Sequence, residues 1–177
     1  MTDSLFFDTD CISAFLWVRE ESLLDKLYSG KIIIPHAVYS ELSNPHTQQL
    51  KQRVDQMIAS GSAALAQISV DSEEYRTYSK LALDISSGNK LIGKGEAACI
   101  AMAKEQGGVL ASNNLRDIMT YVTEYDLIHI TTGDILHKAL EKELITQVEG
   151  DVIWANMLAK RRKLGFSSFS DYIASKG

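Results

Sequence analysis

An α/β fold, with a parallel sheet flanked by helices on both faces, is predicted by three features of this sequence. Short apolar runs of strand character, such as Lys31-Ile32-Ile33-Ile34-Pro35 and Val109-Leu110-Ala111-Ser112, alternate with stretches whose apolar residues recur at helical spacing. Strands separated by helices need crossover connections, which make the sheet parallel and cover its faces. Hydrophobic residues are 45% of the 177, with 23% charged, enough to close a core of that kind.

The elements follow in order. Ser4-Leu5-Phe6-Phe7-Asp8 is a buried strand that delivers Asp8 to its carboxyl end. A helix begins at Asp8-Thr9-Asp10, with a capping residue at its start and Ile12, Ala14, Phe15 and Leu16 inside. A second helix covers Glu21 to Tyr28 and stops at Gly30. Lys31 to Pro35 is the second strand, and Pro35 opens a helix that carries Glu41 and ends at Asn44-Pro45. Gln48 to Ala59 is amphipathic, and Ala64 to Val70 is a weaker strand candidate. Asp71-Ser72-Glu73-Glu74 enters a helix with Tyr75, Tyr78, Leu81, Ala82 and Ile85 on one face, and Ser86 to Asn89 is a turn. After Gly93-Lys94-Gly95 comes a small-residue helix, Glu96 to Ala103, suited to lie close against a sheet and stopped by Gly107-Gly108. Val109 to Ser112 is a strand, Asn113 to Asp117 starts a helix, Leu127 to Ile130 is a strand, and Thr131 to Asp134 opens a helix. A long helix from about Glu149 to Leu164 is closed by Lys160-Arg161-Arg162-Lys163, and Phe166 to Ile173 docks behind it. No repeat or linker interrupts the chain. The expectation is one domain over residues 1–177, with about 145–177 as a helical extension.

Acidic residues outnumber basic ones, 23 to 18, for a net charge of −5. That balance argues against holding nucleic acid by bulk charge, but permits a local basic path leading to an acidic, metal-loaded site. No apolar run approaches the roughly 18 residues of a membrane span, and no secretory signal is evident. Two cysteines, Cys11 and Cys99, do not make a disulfide scaffold and point to a cytoplasmic protein with reduced thiols.

Functional side chains in an open parallel sheet collect beyond the strands' carboxyl ends. Asp8, Glu41 and Glu96 fall where that geometry gathers them, and the Ser112-Asn113-Asn114 turn is a fourth such position. Gathered carboxylates repel, and a hard divalent cation resolves the conflict. Mg²⁺ or Mn²⁺ held there would serve phosphodiester hydrolysis by activating water and stabilising phosphate charge. On spacing alone, a plainer reading stays open: Asp8 as a helix cap, Glu41 on the surface, and Glu96 as a first-turn carboxylate favoured by the helix dipole.

Phe7-Asp8-Thr9, Ile34-Pro35 leading to Glu41-Leu42, Gly95-Glu96-Ala97-Ala98-Cys99-Ile100-Ala101 and Val109 to Asn114 together resemble the PIN-domain ribonucleases, which include the VapC-type toxins. The likeness runs from about residue 5 to 130. It implies a PIN-like doubly wound sheet, an acidic pocket for Mg²⁺ or Mn²⁺ and endonucleolytic cleavage of RNA, with Asp8, Glu41 and Glu96 as the metal-site acids. A small antitoxin protein and a second copy of the chain are the partners it implies. One departure matters: the family usually has an aspartate where Asn114 stands. An amide oxygen can accept a hydrogen bond from a metal-bound water but brings no charge. Asp117, three residues on, shares a helix face with Asn114 and can supply it. Asp10 is a further helper. The alternative is a catalytically impaired PIN-fold module that binds RNA or a protein.

Other signals are weaker. Gly93 to Ala98 matches a dinucleotide-binding pattern but has no buried strand before it. Lys94 beside the acids is placed to meet a phosphate, as are Lys160 to Lys163, although cations at a helix end need no functional explanation. His36, near the pocket rim, is the histidine to test; His129, inside a strand, reads as a core residue.

Overall fold

In the computed structural model, which describes residues 4–88 and 90–177, five short strands form one all-parallel sheet. They are β1 (Leu5–Phe7), β2 (Ile32–Pro35), β3 (Ala63–Ala66), β4 (Val109–Ala111) and β5 (Ile128–Ile130), in the order β3-β2-β1-β4-β5. Phe6 pairs with Ile33 on one side and Leu110 on the other, so β1 is central and all three of its residues are buried. Flanking the sheet among the described residues are ten α-helices: α1 (Thr9–Val18), α2 (Glu21–Tyr28), α3 (His36–Leu42), α4 (Gln48–Ala59), α5 (Glu73–Ala82), α6 (Lys94–Gln106), α7 (Leu115–Glu124), α8 (Thr132–Glu141), α9 (Gln147–Ala159) and α10 (Phe169–Lys176). The doubly wound α/β fold expected from the sequence is therefore present.

Local chemistry accounts for most boundaries. Asp8, Ser72 and Ser168 cap α1, α5 and α10 by accepting N–H bonds, and reciprocal capping boxes start α8 at Thr131–Asp134 and α9 at Thr146–Glu149. Helix α6, all small residues and Ile or Met on its buried side, lies against β1, β2 and β4 and beside α3, α5 and α7. Helix α10 docks on α8 and α9. Gly150 makes this possible, since a Cβ there would stand 2.2 Å from the Phe169 ring.

Four expectations need correction. Strand β3 stops at Ala66, because Gln67 to Val70 leave the sheet and Val70 is 68% exposed. Ile85 is not on the buried face of α5; it lies in a 3-10 turn, Ile85–Ser87, and is 81% exposed. The expected turn ends at Asn89, which lies outside the described residues. Helix α6 begins at Lys94, so Lys94 and Gly95 belong to its first turn. Lys160 to Lys163 do not close a helix: α9 ends at Ala159, and Arg161 adopts φ +59°.

Candidate functional site

Because all strands run the same way, their carboxyl ends share one edge. From β1 the chain winds outward through β2 and β3, and from β4 it winds the other way to β5. The crevice of such a sheet opens where the winding reverses, between the ends of β1 and β4. Asp8 leaves β1 at that point, its N–H donating to the Ala111 carbonyl at 3.0 Å, and the Ser112-Asn113-Asn114 turn leaves β4 beside it.

Asp8 is 1% exposed. Its Oδ1 accepts the Cys11 N–H at 2.7 Å, the ordinary capping bond. Oδ2, equally buried, has no hydrogen-bond partner among the described residues. The other side-chain atom in that condition, Glu21 Oε2, belongs to a carboxylate already ion-paired with Arg53. Burial pushes the Asp8 carboxyl up to about 7; the Ser112 hydroxyl and Cys11 amide oppose the shift, while the charges of Asp10 and Glu96 add to it. A buried carboxylate oxygen without a partner is expensive, and its charged neighbours are acids.

Glu96, in the first turn of α6, is half-buried, and burial raises its carboxyl above the usual range. The Asn114 side-chain amide donates to Glu96 Oε1 and also to Asp117 Oδ2, the latter at 3.0 Å. Asp117 in turn binds the Lys90 ammonium at 2.8 Å, and that cation with the Asn114 amide holds its carboxyl below the usual range. Asn114 thus joins two carboxylates, where an aspartate would repel both.

Glu41, exposed on α3, accepts the Gly95 N–H at 3.0 Å and a hydrogen bond from the Thr9 hydroxyl. A Cβ at position 95 would come within 2.8 Å of Glu41 Oε2, so glycine permits this approach. The first turn of α6 carries Glu96 and holds Glu41 through the Gly95 N–H, and the buried Cys99 thiol one turn on is pushed well up by burial and by the charges of Asp8, Glu41 and Glu96. Among the described residues, however, no group of three or more His, Cys, Asp or Glu side chains is arranged as a ready metal cage.

Those side chains still fit a hard divalent cation. Mg²⁺ keeps several waters and is held through one or two carboxylates rather than a full protein cage. The unpartnered Asp8 Oδ2 and the raised Glu96 carboxyl supply oxygen donors of that type. Asn114, with its nitrogen committed, can offer only its amide oxygen.

Among the described residues three clefts border the cluster, one of them, of about 400 Å³, beside Lys90 and Asp117. Another, of about 500 Å³, is lined by Glu41, Lys94, His36, Tyr75 and Tyr78 among others. The third, of about 210 Å³, is lined by Asp10, Asn113, Arg161, Arg162 and Lys163. Of the four cations from Lys160 to Lys163, two are held against α1: Arg162 Nη1 donates to Ser13 Oγ at 3.1 Å, and Lys160 sits over the Trp17 ring at 5.7 Å. His129, on β5, is only half-buried and contacts the Ser112 carbonyl oxygen through Nε2 at 2.9 Å.

Sequence reasoning passed over Thr9 as a support for Glu41, and Asn113, whose side chain ties the β4 turn to Thr132. It placed Tyr75 and Tyr78 on one helix face with Leu81 and Ala82, without separating those that line the cleft. Spacing of three residues was the available signal, and it does not distinguish a core face from a cleft wall.

The chain matches the sequence model of the PIN domain over residues 4–162. No curated protein and no solved structure matches it. The matched span reaches past residue 130 through α9, and the chain belongs to the PIN-domain family. PIN domains are generally nucleases, act on nucleic acid and typically use divalent metals. Among the described residues no helix is long and apolar enough to cross a membrane.

Proposed function

We propose that this PIN-domain chain is a Mg²⁺- or Mn²⁺-dependent endoribonuclease that hydrolyses RNA phosphodiester bonds, and that it acts in the cytoplasm as the toxin of a toxin–antitoxin pair. The observation that carries the reading is Asp8 Oδ2: buried, without a hydrogen-bond partner among the described residues, at the sheet's reversal point and near other acids. In this reading Asp8 and Glu96 hold the cation, with Glu41 as a third acid fixed by the Gly95 N–H and Thr9 hydroxyl. When bound, the cation lowers the pKa of a water and stabilises charge on the phosphate. Asn114 keeps Glu96 and Asp117 at hydrogen-bonding separation from its amide and orients both. Asp117, anchored by Lys90, adds negative charge at the rim and offsets the missing aspartate. Arg161, Arg162 and Lys163 give the RNA backbone a local cationic contact that the net charge of −5 conceals. A small antitoxin protein would restrain the enzyme, and a second copy of the chain is its other proposed partner.

The test is cleavage of an end-labelled structured RNA in Mn²⁺ and in Mg²⁺. Cutting that EDTA stops, and that Asp8→Asn and Glu96→Gln abolish, is expected. The substitution of Asn114 favours a second reading, a PIN-fold module that binds RNA or protein without cutting. That reading holds if the wild type cuts in neither ion. Induced expression in cells, with Asp8→Asn as control, tests the toxin assignment through growth arrest.

A further inference from the structure

We propose that the cleft walled by α3, α5 and α6 is a nucleotide subsite, which seats the base of a single-stranded RNA residue next to the scissile phosphate. This assignment rests on the RNA-cleavage reading above and names where that activity takes its base preference. At about 500 Å³ the cleft lies within the roughly 300–1,000 Å³ of sites that enclose small ligands. Its lining combines aromatic faces, those of His36, Tyr75 and Tyr78, with the amide side chain of Gln67. Single-stranded nucleic acid is held in this manner, by unstacked bases laid on aromatic side chains and read at their edges by polar groups.

Tyr75 and Tyr78 lie three residues apart on α5, with ring centroids 6.1 Å apart and planes inclined by 41°. Tyr78 leans on the hydrophobic core, as a structural tyrosine would. Tyr75 is outside that packed set, half-buried and part of the cleft wall. An aromatic ring kept from the core and turned to an open cleft is a platform for a flat ligand.

Position selects a nucleotide over other flat ligands. Glu41 belongs to the cleft wall and is bound by the first turn of α6, which carries Glu96. Lys94, exposed at the first residue of α6, stands beside Gly95, whose N–H holds Glu41. The cleft therefore joins the acidic cluster through a carboxylate, with a cation at the junction where a phosphate would link one nucleotide to the next.

Fluorescence anisotropy of labelled hexanucleotides of A, C or U on the full chain, with EDTA present, reads the subsite without cleavage. The wild type should discriminate among the three. Tyr75→Ala should weaken the best binder roughly tenfold and flatten the discrimination. Tyr75→Phe should retain both, which separates stacking from a loss of fold; unchanged melting temperatures complete the control. Lys94→Gln should weaken all three alike. A folded Tyr75→Ala that binds and discriminates as the wild type does overturns the subsite, as does base-independent binding by the wild type. The same cleft holding only a peptide would also overturn it. The two readings fail separately: cleavage that ignores Tyr75 removes the subsite and leaves the nuclease. Tyr75-dependent base preference without any cutting does the reverse.

Discussion

Asp8 and Asp134 both stand in the opening turn of a helix, one as its cap and the other in a capping box, and they have opposite fates. Each lies at the start of a helix that follows a strand of the parallel sheet, Asp8 after β1 and Asp134 after β5. Asp134 is surrounded by partners: Thr131 N–H at 2.8 Å, the Tyr172 hydroxyl at 2.6 Å and the Lys176 ammonium at 2.8 Å. Burial alone would raise its carboxyl, but Lys176, Tyr172 and Thr131 override it and hold the group well below the usual carboxylate range. The Asp8 carboxylate accepts the Cys11 N–H through Oδ1 and feels the Ser112 hydroxyl, and its buried Oδ2 has no hydrogen-bond partner among the described residues. The contrast shows that this fold can complete a carboxylate at a helix start when the carboxylate is structural. At Asp8 it supplies acids instead of a cation.

The largest expected effect breaks the contrast at Asp8. Asp8→Asn keeps the cap and the shape, so it should lower the RNA cleavage rate at least about a hundredfold, read as initial rates in Mn²⁺. Linkage gives the same substitution a second signature. The Asp8 carboxyl holds its proton up to about 7 in the fold and to 3.8 ordinarily. Below pH 4 both states are protonated and nothing is lost. Between about pH 4 and 7 the unfolded chain releases a proton the fold retains, so metal-free stability falls, by on the order of 4 kcal/mol once complete. Urea denaturation with and without Mn²⁺ should show ion-dependent stabilisation growing through that window, and Asp8→Asn should remove the dependence.

Asp134→Asn breaks the other side. Its stabilising charge is fully present above pH 4 and is lost as pH falls through its depressed folded value, the opposite sign to Asp8. The variant should lose about 1–2 kcal/mol by urea denaturation at neutral pH, after allowance for the partly exposed Lys176 contact, with no change in Mn²⁺ dependence.

Asn114→Asp sharpens the comparison by adding a further acid between Glu96 and Asp117. Its amide donations to Glu96 and Asp117 become repulsions, so the metal-free melting temperature should fall by about 2–4 °C. Addition of Mn²⁺ should then raise it by more than it raises the wild type. An equal rise in the two proteins would place the cation away from position 114.

The smallest effect concerns the basic cleft. Arg161→Gln with Lys163→Gln removes two exposed cations and leaves the Arg162 tether to Ser13. RNA affinity should weaken severalfold, and the slope of log affinity against log salt should become shallower by about one to two.

Much of this architecture is legible along the chain because its causes are local. Ile32 to Pro35 is continuous and β-branched, Gln48 to Ala59 is amphipathic, and Ser72 and Thr131 carry the caps of the helices they begin. The same locality led to errors where periodicity outran packing. Ile85 continues the apolar spacing of α5, but Asp84 accepts the Ser86 N–H and turns the chain out of the helix first. Lys160 to Lys163 follow an apolar helix without a breaker, yet Arg161 enters a left-handed conformation and the helix stops at Ala159.

Strands that end in polar residues place Asp8 and the Asn114 turn, and helices carry Glu41, Glu96 and Asp117; from that order and the PIN-domain resemblance all five were nameable. What each one touches was not. The bond from Gly95 to Glu41 spans 54 positions, that from Asn114 to Glu96 spans 18, and that from Lys90 to Asp117 spans 27. Sequence alone determined the order of strands and helices and most of their caps, since side-chain shape and capping act within a few residues. Only the tertiary structure decided that Asp134 receives a lysine and Asp8 does not, because a charge's partner and its exposure to water are set by segments far apart in the chain.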